Sequence, residues 1–195
     1  MTDITRHDCD QTCSDGLGDT VDGYLEFALD HLIDFFFRME QLTARIEQID
    51  GVLQQTAREH EACQRLTTIP GIGPVTATAL VAAIGNGAAF RRGRDLAAWV
   101  GMVPRECSTG GKQKLLGISK RGNSYLRRLF VQGARSVLQQ RNKQPPRLSS
   151  WLAQLLARTH QNVVIVALAN KLLRTAWAVL YKNQTYCIPA AATTS

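Results

Sequence analysis

Residues 66–80 read LTTIPGIGPVTATAL and carry the strongest structural signal in the chain. Gly71 and Gly73 permit a tight turn and leave backbone N–H groups unshielded by a Cβ, so a phosphate can approach them. Pro74 suits the first turn of a following helix, whose positive dipole end points at the same anion. The stretch therefore predicts a helix-hairpin-helix that grips the DNA backbone without reading bases. A plain turn between two helices is the alternative.

Charge is distributed very unevenly along the 195 residues. Residues 1–60 carry four basic and thirteen acidic side chains, a net charge of −9. Residues 61–195 carry nineteen basic and three acidic side chains, a net charge of +16. The strong positive charge of residues 61–195 predicts a nucleic-acid partner, and the acidic residues 1–60 are expected to have a separate role. A merely solvated basic surface is the weaker interpretation, because so few acids oppose the cations.

The five cysteines form neither a disulfide framework nor a paired Cys-x-x-Cys metal knuckle. His7, Cys9 and Cys13 lack a fourth ligand, so no metal site is predicted. No signal peptide is recognised at the start of the sequence, and the longest apolar run, residues 163–169, is far too short to span a bilayer. We therefore expect a reducing, cytoplasmic setting.

Composition and periodicity divide the chain into four segments. Residues 1–22 are acidic and predict a disordered leader. Residues 23–62 carry a heptad seam that predicts a coiled-coil dimerisation helix, with a long amphipathic helix packed on its own domain as the alternative. Residues 63–185 predict a compact helical domain, and residues 186–195 a tail. The dimerisation positions are Leu25, Leu32, Phe35, Met39, Leu42, Ile46 and Ile49.

The predicted fold class is mainly α, with one exception. Residues 102–118 are rich in Gly, Pro, Ser and Lys without a helical period, so they predict an irregular loop or short hairpin. Ser119 is the expected N-cap of a helix over about residues 120–140, and two further helices are expected over about 149–158 and 161–181. Loops on a rigid scaffold often carry function, and Ser108 lies in this one. A turn serine that only caps backbone groups is the alternative.

The expected DNA contacts combine glycines that expose backbone N–H groups with cations that pair with phosphates. The ordinary role of such cations is surface solubility. The predicted contacts are Gly71, Gly73, Arg91, Arg92, Arg105, Gly110, Gly111, Lys112, Lys114, Lys120, Arg121, Arg127 and Arg128.

Five sequence blocks together resemble a known family. The blocks are TIPGIGP (68–74), WVGMVPR (99–105), STGGK (108–112), ISKRGN (118–123) and ALANK (167–171). From residue 63 onward the chain resembles the C-terminal, serine-bearing domain of insertion-sequence transposases of the bridge-RNA-guided recombinase type. The preceding helix is similar to the coiled coil of that family. Members also carry an N-terminal Holliday-resolvase-like domain with a DEDD set of metal-binding acids, for which we expect this chain to have no room.

The resemblance implies that Ser108 is the nucleophile that attacks a DNA phosphodiester and holds the strand as a phosphoserine. A serine hydroxyl is a poor nucleophile near neutral pH and needs activation, and the sequence leaves the direction of the neighbouring Glu106 open. Arg105, Lys112 and Lys114, with the Gly110–Gly111 backbone, could stabilise charge on the phosphoryl oxygens.

The resemblance also sets expectations for cofactors and partners. Mg²⁺ is expected only on the DEDD domain, so this chain is expected to bind no cofactor and to be inactive alone. Duplex or branched DNA, a guide RNA, and another copy or full-length transposase are the expected partners, in a nucleoid-associated bacterial setting. A non-catalytic helix-hairpin-helix DNA-binding protein and an inhibitory dimerising fragment are the alternatives.

Overall fold

The computed structural model describes residues 7–187, with the side chains of residues 27–114 and 116–187. This part of the chain is mostly helical and has one two-stranded sheet, so the predicted mainly α fold class is confirmed. The elements are α1 His7–Glu59, α2 Glu61–Thr67, α3 Pro74–Ile84, α4 Gly93–Val100, β1 Pro104–Glu106, β2 Leu115–Ile118, α5 Ser124–Gln139, a 3-10 turn Arg141–Lys143, α6 Pro146–Leu156 and α7 Gln161–Lys182.

The chain divides into two compact units, one ending at Asp50 and the other beginning at Gly51. The helix α1 begins at His7 and so includes residues 7–22 of the predicted leader. The last turns of α1 belong to the second unit, where Ala57 is buried. Residues 1–6 of the predicted leader and residues 188–195 of the predicted tail lie outside the described residues.

The core of the second unit forms around α7, which packs against α2, α4, α5 and α6. This helix buries Val164, Leu168, Leu172 and Ala176 among others, and α5 contributes the fully buried Phe130. By length and composition α7 could cross a membrane, but half of its apolar window is buried inside the fold. Its apolar faces therefore serve helix packing.

The start of α5 corrects the expectation that Ser119 is the N-cap. The N-cap is Asn123, whose side-chain oxygen accepts hydrogen bonds from the N–H groups of Tyr125 and Leu126, each at 3.1 Å. Lys120 has φ 55° and Gly122 has φ 109°, a left-handed backbone that a helix cannot include. Ser119 cannot be the N-cap, because the residues that follow it are not helical. Residues 119–122 instead bond and pack against the end of α4.

That closure joins the end of α4 to the residues before α5. The Ser119 N–H donates to the Val103 carbonyl at 2.8 Å, and the Lys120 N–H donates to the Gly101 carbonyl at 3.1 Å. A Cβ at Gly101 would overlap the carbonyl oxygen of Arg121, and a Cβ at Gly122 would overlap that of Trp99. Backbone packs directly on backbone here, so both ends of the segment 102–118 are fixed to the core.

Candidate nucleic-acid interface

Ser108 lies near the tip of a short β-hairpin formed by β1 and β2, which confirms the hairpin form of the predicted loop. The strands are antiparallel, with Glu106 opposite Leu115, and the Cys107 N–H donates to the Lys114 carbonyl at 2.9 Å. The turn closes where the Lys112 N–H donates to the Thr109 carbonyl at 3.1 Å. Its central residues have φ 57° and 74°, as a type I′ turn requires, which explains the pair Gly110–Gly111. Ser108 is exposed beside this turn.

The Ser108 hydroxyl donates a hydrogen bond to Glu106 Oε1 at 2.5 Å. The two residues are two positions apart, with Glu106 at the end of β1. The bond from Ser108, and secondly one from the Gln113 side chain, hold the pKa of Glu106 below its ordinary value of 4.5. Glu106 is therefore ionised at neutral pH, and its carboxylate faces the serine.

Three predicted cations, Arg105, Lys112 and Lys114, lie on the same hairpin as Ser108, and all are exposed. Arg105 belongs to β1, while the two lysines lie between the turn and β2. Among the described side chains, none of the three forms an ion pair. Their charges are thus available to an anion that approaches the hairpin.

Gly71 and Gly73, the glycines of the predicted helix-hairpin-helix, have different surroundings in the turn between α2 and α3. Gly71 has φ 83°, and a Cβ there would come within 2.6 Å of Val137 Cγ2 and 2.8 Å of the Gly133 oxygen. Gly73 is exposed, and a Cβ there would meet nothing within 4 Å. Gly71 therefore allows the turn to pack on α5, and Gly73 is the residue whose backbone is open to a phosphate. Pro74 is the first residue of α3, as predicted.

The remaining predicted cations have unequal roles. Arg127 is half-buried, and its Nη1 donates to the Val100 carbonyl at the end of α4 at 2.9 Å. This structural contact was not evident from the sequence. Four others, Arg91, Lys120, Arg121 and Arg128, are exposed.

A cationic cleft lies between the N-terminus of α4 and the middle of α7, with α6 at its side, and encloses about 720 Å³. Its cations are Arg92, Arg94, Lys171 and Arg174, and Trp151 and Trp177 also line it. Of these residues, sequence reasoning predicts only Arg92 as a DNA contact. The available signal for the α7 pair is its i,i+3 spacing, which puts both cations on one face of an otherwise apolar helix.

In the first unit, the predicted dimerisation positions form an exposed apolar face of α1. An exposed apolar stripe of this length is typical of a protein-binding surface. The side chain of Leu25 lies outside the described residues. The described members, each 49–59 % exposed, are Leu32, Phe35, Met39, Leu42, Ile46 and Ile49.

The possible metal ligands and the cysteine thiols are chemically distinct from the cationic residues. Among the described residues, no group of three or more His, Cys, Asp or Glu side chains could hold a metal ion. Cys63 is buried, and burial raises the pKa of its thiol, which makes it unreactive. Cys107 and Cys187 are exposed free thiols.

Residues 63–149 match the model of the family described as Transposase IS116/IS110/IS902 family. The chain is 45% identical over 148 residues to a probable family 20 transposase of Pseudomonas aeruginosa, covering 76% of this chain and 44% of the relative. It is 46% identical over 153 residues to the transposase for insertion sequence element IS1328 of Yersinia enterocolitica, covering 76% and 46%. It is 44% identical over 134 residues to the transposase for insertion sequence element IS1111A of Coxiella burnetii, covering 69% and 37%.

The chain spans less than half the length of these curated relatives. The matched region includes the turn with Gly73 and the hairpin with Ser108. The transposase part of the resemblance is thereby confirmed, whereas the guide-RNA type and the C-terminal position stay predictions. Residues 63–149 of this chain are thus similar to the transposase domain of the IS116/IS110/IS902 family.

Proposed function

We propose that this chain binds DNA and supplies Ser108 as the nucleophile for DNA strand cleavage and exchange, as one part of a composite active site. The observation that carries the proposal is the position of the Ser108 hydroxyl, exposed near the hairpin tip and bonded to an ionised carboxylate. Three cations without ion-pair partners among the described side chains share that hairpin. The relatives named as transposases support DNA as the substrate.

In the proposed step the Ser108 oxygen attacks a DNA phosphorus atom, and the bond from phosphorus to one strand oxygen breaks. The serine proton passes to an acceptor, and the departing oxygen takes up a proton. One end of the cut strand is then joined to Ser108 through a phosphoserine link, and the other end of the same strand carries a free hydroxyl. Arg105, Lys112 and Lys114 stabilise the charge on the phosphoryl oxygens.

Glu106 orients the serine hydroxyl in this proposal. It accepts the hydroxyl hydrogen, so a lone pair of the serine oxygen is directed away from the carboxylate and towards an incoming phosphate. A carboxylate with a depressed pKa is a weak base. Its contribution is therefore mainly to position the nucleophile.

The other part of the composite site is proposed to be a DEDD domain, as the family resemblance implies. Mg²⁺ held by the acids of that domain would activate the serine and polarise the phosphate. A guide RNA partner and a nucleoid-associated place in the bacterial cytoplasm rest on the same resemblance.

The proposal is tested by searching for a covalent adduct on Ser108. The chain is incubated with a DEDD domain of a related transposase, Mg²⁺ and a branched DNA junction, then denatured and digested with trypsin. Peptide 106–112, which follows Arg105 and ends at Lys112, should carry a nucleotide on Ser108 in mass spectrometry. Ser108→Ala should give no adduct, whereas Ser150→Ala, at an exposed serine outside the hairpin, should keep it. An unmodified Ser108 in the unsubstituted chain contradicts the nucleophile role.

A second candidate function, a DNA clamp without chemistry, is favoured by the open backbone of Gly73. A hydrogen bond from a backbone N–H to a charged phosphate contributes about 1.5–3 kcal/mol. Gly73→Val should therefore weaken duplex binding roughly tenfold to a hundredfold at every DNA sequence, without changing the melting temperature. Ser108→Ala should leave the affinity unchanged. If this pattern holds and no adduct forms, the clamp is the function.

We also propose that α1 pairs with α1 of a second copy of the chain. The heptad positions supply one continuous apolar face, and its members are about half exposed in the single chain. Pairing would remove this surface from water at both helices. Association with full-length transposase would use the same face.

A further inference from the structure

We propose that the cationic cleft between α4 and α7 binds the phosphodiester backbone of the DNA that flanks the strand attacked by Ser108. The inference rests on the proposed function, because it assumes that DNA reaches the hairpin. It adds Arg94, Lys171 and Arg174 to the DNA-binding surface and gives the cleft a ligand class.

The cleft is a built feature, because close packing brings its two cationic elements together. Gly93, the first residue of α4, is buried against α7, and a Cβ there would lie 3.2 Å from both the Arg174 oxygen and Trp177 Cε3. Only a glycine allows so close an approach without displacement. The Trp177 Nε1 donates to the Gly87 carbonyl at 3.2 Å, which fixes one wall.

The positive charge of the cleft is uncompensated within the described structure. Among the described side chains, none of Arg92, Arg94, Lys171 and Arg174 forms an ion pair. The lining includes no carboxylate, and the nearby Asp95 accepts the Arg92 backbone N–H at 3.1 Å to cap α4. The N-terminus of α4 adds a further partial positive charge.

Lys171 combines a contact with an aromatic ring with partial burial of its ammonium. Its ammonium lies 4.3 Å from the centroid of the Trp151 ring, a cation–π contact. Partial burial, and secondly the charge of Arg147, lower the pKa of Lys171. A bound phosphate would favour the charged form of Lys171, because it supplies a nearby negative charge.

The position of the cleft connects it to the Ser108 hairpin. Asn170, a lining residue, donates from Nδ2 to the Met102 carbonyl at 3.1 Å, just before β1 begins. The cleft therefore adjoins the fixed base of the hairpin whose tip carries Ser108. DNA bound in the cleft would therefore lie beside the base of the hairpin that carries Ser108.

The dimensions favour a strand backbone over a single small anion. The lining residues of α7 run from Ala167 to Ala178, about 16 Å of helix at 1.5 Å per residue. Phosphates follow one another at about 3.4 Å per strand along a duplex axis, so several fit this length. The cations of the cleft come from both of its sides, as expected for a groove that follows a backbone.

The test compares two charge-removing double variants of the full chain. Lys171→Gln with Arg174→Gln removes two exposed cleft cations. Arg141→Gln with Lys143→Gln removes an exposed arginine and lysine from the 3-10 turn, outside the cleft lining. Binding of a fluorescein-labelled random-sequence duplex is measured by anisotropy over a range of salt concentrations, and thermal melts confirm that each variant folds.

The cleft variant should bind the duplex roughly tenfold more weakly or worse in about 0.1 M salt, and its log–log salt slope should be smaller by about 1.8, since each lost phosphate contact removes about 0.9. The control variant should keep most of the duplex affinity and most of the salt slope. Inorganic phosphate at matched ionic strength should compete no better than chloride.

Three results would overturn the inference: an unchanged cleft variant, an equal loss in the control, or displacement of DNA by inorganic phosphate. In each case binding that still depends on Gly73 leaves the proposed function in place. Failure of the unsubstituted chain to bind DNA would instead contradict the proposed function itself.

Discussion

Ser108 and Glu106 form a hydrogen bond between two exposed side chains, so water competes with it directly. Such a bond adds little to the stability of the fold. Its consequence is local, because it selects one orientation of the serine hydroxyl from several that free rotation would allow.

The titration of Glu106 provides a direct test of this bond. Ser108→Ala should raise the pKa of Glu106 towards its ordinary value of 4.5, because it removes the largest cause of the depression. Since the folded pKa is depressed, the bond is fully present above pH 4.5 and is lost as the pH falls through the lower folded value. Carboxyl carbon NMR measures the shift. Thr109→Val, which removes the neighbouring hydroxyl, should leave it unchanged, and an unaltered titration in Ser108→Ala would show that the bond is absent in solution.

The sequence predicted the place of Ser108 but not its partner. Composition alone indicated a loop or hairpin, because glycines and prolines leave no helical period. The direction of Glu106 depends on strand pairing, which the Gly110–Gly111 turn sets. The difference between Gly71 and Gly73 likewise depends on α5, which is distant in sequence.

At the level of elements, the start of α5 shows how tertiary contacts choose between two good caps. Serine and asparagine are nearly equal as N-caps, so local sequence could not separate Ser119 from Asn123. The backbone bonds of Ser119 and Lys120 to the end of α4 decide the matter. The bounds of α7 were predicted closely, because His160 caps its start and Asn183 ends it in a left-handed conformation.

Paired substitutions distinguish the two caps. Asn123→Ala should lower the free energy of unfolding by about 1 kcal/mol, because two N–H groups of the first turn lose their acceptor. Ser119→Ala should cost clearly less, since the contact of Ser119 with Val103 uses its backbone. Urea denaturation followed by circular dichroism measures both, and equal costs would contradict the assignment of Asn123.

At the level of the whole molecule, the charge division coincides with the division between the two proposed roles, self-association and DNA binding. The acidic first segment contains the apolar face of α1, and the basic remainder contains the hairpin, the Gly73 turn and the cleft. Composition predicted the nucleic-acid partner. The cleft could not be predicted, because its walls come from residues 92–94, 151 and 167–178, which only the packing of α4, α6 and α7 brings together.

Self-association tests the proposed role of α1. Leu32→Glu with Leu42→Glu should convert a dimer into a monomer, because burial of each leucine contributes about 1.5–3 kcal/mol and carboxylates at these positions would oppose pairing. Analytical ultracentrifugation measures the mass. Gln41→Glu with Gln48→Glu adds the same charge outside the heptad seam and should leave the dimer intact. A monomeric unsubstituted chain would contradict the pairing.

Because the base of the β-hairpin is fixed, the hairpin is an arm whose strand length determines how far its tip extends. Both ends of the arm are held by glycine-to-backbone contacts that tolerate no side chain. Strand length therefore sets how far Ser108 lies from the helical body. One residue added to each strand would advance it by about 3.3 Å and rotate it to the opposite face, and a second would restore the face about 7 Å farther out. Inserting residues two at a time in each strand would thus change the distance of Ser108 from the helical body while the body stays the same.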